Sequence, residues 1–129
     1  MKRYDPNLAP DPEGWLALEE AKRLALVADY HRQKRIQVPK QDLHAATHVI
    51  VENQAALGDE LPVRRTIERL TGEGLDRHEA VHAVGSVLME QLSAVMRDGS
   101  PADFDMPLYG ARLETLTAES WQSDLGDRG

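Results

Sequence analysis

Apolar side chains recur at helical spacing along most of this chain, and glycines and prolines divide the pattern into four segments. Residues three and four apart share one face of a helix, so each segment predicts an amphipathic helix. The four predicted helices span approximately residues 13–35, 41–57, 62–71 and 77–97. No segment alternates apolar and polar residues as a half-buried strand would, and the pattern therefore predicts an all-α fold.

Residues with special backbone preferences mark the ends of these predicted helices. Asp11 before Pro12 is typical of a first helical turn, and Gly58 is the glycine that commonly follows a helix. Pro39 separates the first two helices. The strongest start signal is Asp76-Arg77-His78-Glu79, a capping box in which the first and last side chains each accept from the other residue's backbone N–H.

The predicted helices are expected to pack as a small bundle of four main helices in a single domain. Residues 11–97 form its helical core, residues 1–10 an extended N-terminal arm, and residues 98–129 a loop and a weakly structured tail. Within that tail Leu108 to Leu116 could form one more short helix, and Trp121 is expected to dock the tail onto the bundle. With only six aromatic residues, Leu, Ala and Val must supply most of the packing, which favours helices over a β-sandwich.

Composition narrows the classes of function. The formal charge of −7 argues against general nucleic-acid binding, which requires a basic surface. No apolar run is long enough to cross a bilayer, the N-terminus lacks the apolar core of a signal peptide, and the chain has no cysteine. We therefore expect a cytoplasmic protein without membrane association. The sequence does not identify a protein partner. It is compatible with a homo-oligomer.

Four of the five histidines form two pairs at i,i+4 spacing: His44 with His48, and His78 with His82. Five histidines scattered at random would give two such pairs about one time in a hundred. Two imidazoles four residues apart lie on one helix face, close enough to hold one ion. Glu52 lies one further turn along the same helix face as His44 and His48. The spacing of these residues therefore indicates a candidate metal-binding site.

The apolar faces of the predicted helices lie beside both histidine pairs. The apolar stripes are Leu16, Ala17, Leu24, Val27, Ala28 and His31 on the first helix, Leu43, Ala46, Ile50 and Leu57 on the second, and Val81, Val84, Leu88, Leu92 and Val95 on the fourth. Gln54 falls near the centre of the second stripe, where a polar group needs a hydrogen-bond partner. Gly85, nearly one turn beyond His82, would let another helix or a ligand approach closely.

Two further features of the sequence are interpreted without a catalytic role. The string His78-Glu79-Ala80-Val81-His82 matches the zinc-protease pattern H-E-x-x-H, but Glu79 already belongs to the capping box and no edge strand is predicted to hold a peptide. A protease is therefore disfavoured. The fifth histidine, His31, precedes the basic residues Arg32, Lys34, Arg35 and Lys40. Because positive charge at a helix C-terminus interacts favourably with the helix dipole, His31 is interpreted as part of a solvated helix end.

The order of the histidine motifs resembles a known family. An H-x-x-x-H-x-x-x-E-x-Q segment, followed after a Pro-initiated helix by H-E-x-x-H, resembles a family of small bacterial proteins catalogued as domain of unknown function 1841. The resemblance covers about residues 41–97. It implies a compact helical fold and one constellation, made of His44, His48, Glu52, His78 and His82. It implies no activity, because the family has none assigned.

We therefore predict that the second and fourth helices pack side by side and bring the two histidine pairs together. Four imidazoles suit zinc or another divalent transition metal, with Glu52 or Glu79 as an alternate ligand or as a hydrogen-bond acceptor behind a ligand. Four histidine ligands would make the site structural, whereas three ligands and a water would allow hydrolysis. The alternative is a non-enzymatic interaction or structural module with a histidine and carboxylate polar core and no metal.

Overall fold

The computed structural model describes residues 1–36, 40–100 and 103–128, except for the side chains of residues 98 and 124–128. These residues form seven α-helices and no strand, which confirms the predicted all-α class. The helices are α1 (Pro12–Ala17), α2 (Glu20–Gln33), α3 (Gln41–Ala56), α4 (Val63–Gly72), α5 (Arg77–Asp98), α6 (Met106–Thr115) and α7 (Ala118–Arg128). Among the helices of these residues, none combines the length and apolar character that crossing a bilayer requires. Pro39, predicted to separate two helices, lies outside the described residues.

The first predicted helix is two helices, α1 and α2. Leu18 is extended, with ψ of 147°, and it ends α1 before α2 begins at Glu20. The Arg23 guanidinium donates to the carbonyl oxygens of Leu16 and Leu18, which satisfies groups that a helix end leaves open. The apolar spacing did not reveal this break because apolar residues recur at helical spacing on both sides of it.

The buried face of α3 also differs from the predicted stripe. Leu43 and Leu57 are 45% and 43% exposed, whereas His48 and Glu52 are each 1% exposed. The remaining buried residues of α3 are Ala45, Val49, Val51 and Ala55. The row of polar residues that was predicted along the flank of this helix therefore lies at the centre of its buried face.

Two apolar clusters account for that burial, because α3 contributes to both. The smaller cluster contains Tyr4, Trp15, Leu26, Val27, Ala45 and Val49, which come from the arm, α1, α2 and α3. The larger cluster joins α3 to α4, α5 and the two C-terminal helices, and it includes Val51, Leu70, Leu88, Tyr109, Leu113 and Trp121. A helix buried on both sides has no solvated face wide enough for its polar residues, so some of them are held inside.

Described residues of the predicted arm and of the predicted tail pack against the rest of the protein. Tyr4 in the arm is 3% exposed, and Tyr109 and Leu113 of α6 are fully buried. The region predicted as a weakly structured tail therefore contains α6 and α7 among its described residues, of which only a short helix over Leu108 to Leu116 was anticipated. Trp121 is 8% exposed and docks α7 onto the larger cluster, as predicted.

Side-chain hydrogen bonds confirm the prediction for Gln54 and half of the predicted capping box. Gln54 has the partner it needed, because its Oε1 accepts from the Tyr109 hydroxyl at 2.8 Å. Asp76 Oδ1 accepts from the backbone N–H of Glu79 at 2.7 Å, as a capping box requires. The Glu79 carboxylate, however, accepts from Trp121 Nε1 at 2.8 Å instead of returning to Asp76. A tertiary contact has replaced the second half of the capping box.

Helices α3 and α5 approach closely at Gly85, in agreement with the prediction for this glycine. A Cβ at Gly85 would lie 2.9 Å from Thr47 Cγ2, closer than two carbon atoms pack. We expect Gly85→Ala to lower the free energy of unfolding by about 1–3 kcal/mol, measured by urea denaturation. Combining it with Thr47→Ser, which removes Cγ2 and keeps the hydroxyl, should restore most of the loss.

Gly72, also helical, is the matched control. A Cβ there meets nothing within 4 Å, so Gly72→Ala should be neutral or stabilise the protein by up to about 1 kcal/mol. An equal loss of stability at Gly72 and Gly85 would show that the close contact between α3 and α5 is not the cause.

Candidate metal centre

All five histidines of the chain meet between the two apolar clusters. They come from three helices: His31 from α2, His44 and His48 from α3, and His78 and His82 from α5. Neighbouring ring centroids lie 4.3–6.1 Å apart. The two i,i+4 pairs therefore face each other across α3 and α5, and the fifth histidine joins them from α2. We call these five residues the histidine cluster.

Four members of the histidine cluster share one small region of space. His31, His48, His78 and His82 each place a ring nitrogen within 4.8 Å of the other three. The Nε2 atoms of His48 and His82 are already only 3.0 Å apart. Because a tetrahedral zinc ion places its nitrogen ligands about 3.3 Å from one another, small side-chain rotations would bring all four within bonding distance of one ion.

The interpretation of His31 as a solvated helix end is wrong. Its side chain is 7% exposed, its Nδ1 lies 2.9 Å from the carbonyl oxygen of Val27, and its Nε2 lies 3.0 Å from His44 Nε2. The following residues, Arg32 to Arg35, are exposed, so only they fit the predicted solvated end. The sequence does contain an indication that His31 is buried. His31 lies four residues after Val27, which is fully buried on the same helix face.

Tyr4 holds His48 in a defined orientation, and the sequence analysis did not identify it. The Tyr4 hydroxyl donates to Glu52 Oε2 at 2.5 Å and lies 3.2 Å from His48 Nδ1. Burial, followed by the nearby Glu52 carboxylate, raises the pKa of Tyr4 well above its ordinary value, so this hydroxyl keeps its hydrogen. That hydrogen is committed to Glu52, and Nδ1 of His48 must therefore be the donor to the tyrosine oxygen. The only hint in the sequence was an aromatic residue in a polar arm.

Arg77 fixes the position of Glu52. Both carboxylate oxygens of Glu52 accept from the Arg77 guanidinium at 2.8 Å, and the same guanidinium donates to the carbonyl oxygen of Pro6 at 3.0 Å. Glu52 is thus fully engaged by Arg77 and Tyr4, and the Tyr4 hydroxyl connects it to His48. Glu79 is engaged by Trp121. Nothing in the sequence distinguished Arg77 from the other arginines.

Four imidazoles of the histidine cluster have lowered pKa values, which favour the neutral form that can bind a cation. Burial, reinforced by the neighbouring imidazoles, lowers the pKa of His44 to about 4 and that of His82 to about 3. Burial also lowers the pKa of His48 and of His78. These four imidazoles are neutral at pH 7, so each carries one nitrogen lone pair.

One buried nitrogen of the cluster has no partner among the described residues. His78 Nε2 is buried and makes no hydrogen bond to any residue that the structure describes. Leaving a buried polar atom unpaired costs roughly 1–3 kcal/mol, and most buried polar atoms in proteins are paired. A buried, unpaired nitrogen among neutral imidazoles is compatible with a metal site.

The buried ion pair generates a prediction about stability. Replacing Arg77 with Met leaves the carboxylate of Glu52 buried without its partner, and we expect a loss of about 3–5 kcal/mol in the free energy of unfolding. Arg64→Met is the control, because Arg64 pairs with Asp59 at the surface and should contribute no more than about 1 kcal/mol. Urea denaturation measures both. Equal losses of stability in the two variants would mean that the buried ion pair matters no more to folding than the surface pair.

The lowered histidine pKa values predict how metal-free protein responds to acid. In the unfolded chain these histidines become protonated below the ordinary pKa of 6.5. In the folded protein His44 becomes protonated only near pH 4 and His82 only near pH 3. Stability is therefore fully present above pH 6.5 and decreases as the pH falls toward 4. The urea midpoint of chelator-treated protein should drop between pH 7.5 and 5, a range above the titration of ordinary carboxyl groups. A urea midpoint that stays constant over this pH range would contradict the low pKa values of these histidines.

Comparisons of the chain with known protein families, with curated proteins and with solved structures find no match. The resemblance to the family of domain of unknown function 1841 therefore stays a prediction.

Proposed function

We propose that this protein binds one divalent transition metal ion, with zinc the best fit, through His31, His48, His78 and His82. The observation that carries the proposal is the convergence of four ring nitrogens within 4.8 Å of one another. This set retains three of the predicted histidines and replaces His44 with His31. We also propose, from the order of the histidine motifs alone, that the chain belongs to the family that its sequence resembles.

The chemistry of the donors selects the class of metal. Neutral imidazole nitrogens suit zinc and the neighbouring transition metals, whereas magnesium and calcium require oxygen ligands. The carboxylate nearest the cluster, Glu52, has both oxygens occupied by Arg77 and Tyr4. We therefore expect an all-nitrogen site, in which Glu52 orients a ligand and leaves the coordination sphere to the histidines.

Counting hydrogens favours a metal over a metal-free polar core. Nδ1 of His31 faces a carbonyl oxygen and Nδ1 of His48 faces Tyr4, so both atoms carry the hydrogen and both Nε2 atoms present lone pairs. Without metal, His44 and His82 can donate to those lone pairs, because each Nε2 lies 3.0 Å from one of them. His78 Nε2 is still left without a partner. One metal ion would engage His31, His48, His78 and His82 together.

The site also has a structural consequence for the fold. Its ligands come from α2, α3 and α5, and these helices belong to the two apolar clusters that meet at α3. An ion bound only by the folded state adds its binding free energy to the stability of the protein. Metal would therefore hold the smaller cluster against the larger one.

The test is metal analysis of protein purified without an affinity tag, followed by His78→Ala. We expect one zinc ion per chain and a lower melting temperature after chelation. His78→Ala should lose the metal, yet its metal-free form should be no less stable than metal-free native protein, because Nε2 of His78 has no hydrogen bond to lose. A polar core without metal predicts instead that the native protein contains no zinc and that chelation has no effect on its melting temperature.

Thr66→Ala serves as the matched control for the loss of a buried polar side chain. Thr66 is 4% exposed in α4, outside the histidine cluster, and its hydroxyl donates to the carbonyl oxygen of Pro62. This variant should be less stable by about 1 kcal/mol and should keep the full metal content. Metal lost from both variants would indicate a general effect of destabilisation and would contradict the proposed ligand set.

A further inference from the structure

A cavity of about 410 Å³ lies directly beside the histidine cluster. His31 and His44 form part of its wall, and Arg32, Arg35 and Asp42 also line it. Its volume is in the range of sites that hold small molecules, which is roughly 300–1,000 Å³. Among the proposed metal ligands His31 lies on the wall of this cavity, so the cavity gives a small molecule a route to the proposed site.

The charge around the cavity favours an anion. Residues 32–40 contain four basic residues and no acidic one, in a chain whose formal charge is −7. Of these basic residues only Arg32 and Arg35 line the cavity, together with Asp42, so the wall carries a small net positive charge, and Arg32 also pairs with Asp29. A concave site with a locally positive wall concentrates small anions and repels free cations.

The backbone of Arg35 supplies a second, independent observation. Arg35 has φ of 55°, and it follows α2 at the position where the next N–H, that of Ile36, returns to the carbonyl oxygen of His31 at 2.9 Å. This left-handed position at the end of a helix is normally occupied by glycine, which has no Cβ to clash. Arginine is a poor choice there for folding. Arg35 is nevertheless one of the residues that line the cavity.

His44 completes the site because metal binding changes its partner. In the absence of metal, its Nε2 lies 3.0 Å from His31 Nε2. Once His31 gives its lone pair to a metal ion, the N–H of His44 has no acceptor in the cluster and is available to a ligand in the cavity. A fifth imidazole that is not needed as a ligand would then act as a hydrogen-bond donor beside the ion.

We propose that the metal ion binds a small oxyanion, of the carboxylate or phosphate type, as an additional ligand from this cavity. Arg35 and Arg32 bind the outer oxygens of the anion, and His44 donates to an oxygen near the metal. Zinc can expand from four ligands to five, so four histidine ligands do not by themselves exclude an anion. This inference rests on the proposed metal site and names the class of molecule that reaches it.

The experiment uses the full-length protein loaded with zinc, titrated by calorimetry with inorganic phosphate and, separately, with acetate. Saturable binding of one anion per metal is expected, and the tighter of the two probes identifies the phosphate or the carboxylate type. In cobalt-loaded protein the same anion should change the visible absorption, since it enters the coordination sphere of the metal. Metal-free protein should bind the anion much more weakly.

Arg35→Gly separates this role from a contribution to folding. We expect this variant to bind the anion about tenfold more weakly, because one charge-assisted hydrogen bond is lost. Its melting temperature should not fall, since glycine suits the left-handed backbone of residue 35. Arg65→Gln, a change at an exposed arginine of α4, is the control and should leave anion binding unchanged.

Three results would overturn the inference while leaving the metal site intact. They are full zinc loading without anion binding, equal anion binding with and without metal, and anion binding unaffected by Arg35→Gly. Absence of bound metal before any anion is added would overturn the proposed function as well, and metal analysis identifies that case.

Discussion

The ion pair between Arg77 and Glu52 is the interaction on which the centre of this structure depends. Arg77 begins α5, Glu52 lies in the middle of α3, and the same guanidinium holds the carbonyl oxygen of Pro6 in the arm. From Glu52 the contacts continue to the Tyr4 hydroxyl and from there to His48. A buried ion pair contributes little net stability over apolar packing, but it is costly to break, and it therefore fixes geometry more than it adds free energy.

That geometry explains how a polar cluster can lie between two apolar ones. Burying imidazoles disfavours their charged forms, and Nδ1 of His31 and of His48 is paired through Val27 and Tyr4 respectively. What remains inside is a set of ring nitrogens within 4.8 Å of one another, which could hold a metal ion. Because the ligands belong to separate helices, the proposed site and the tertiary fold would stabilise each other.

The neighbouring cavity gives the proposed site an asymmetry. On one side His48 is enclosed, at 1% exposure, and is held by Tyr4. On the other side His31 and His44 meet a cavity with arginines on its wall. A site that served only to join helices would need no such opening. The glycine-type backbone of Arg35 is consistent with a side chain retained for binding rather than for folding.

The sequence by itself determined the all-α class, the bounds of α3, α4 and α5 to within a few residues, and the meeting of the two histidine pairs. These features depend on spacing along one helix and on backbone preferences near glycine and proline, which are local properties of the chain. The same local logic identified Gly85 as a point of close approach and Gln54 as a residue that needs a partner.

Only the tertiary structure decided which histidines share a site and what holds them. His31 joined the cluster because α2 packs against α3, and its basic neighbours in the sequence gave the opposite indication. The buried face of α3 was misplaced because that helix is covered from two sides, so an apolar stripe no longer identifies its interior. Tyr4 and Arg77 contact Glu52 across 48 and 25 residues of sequence. Contacts of that kind depend on how distant segments pack, and helical periodicity carries no information about them.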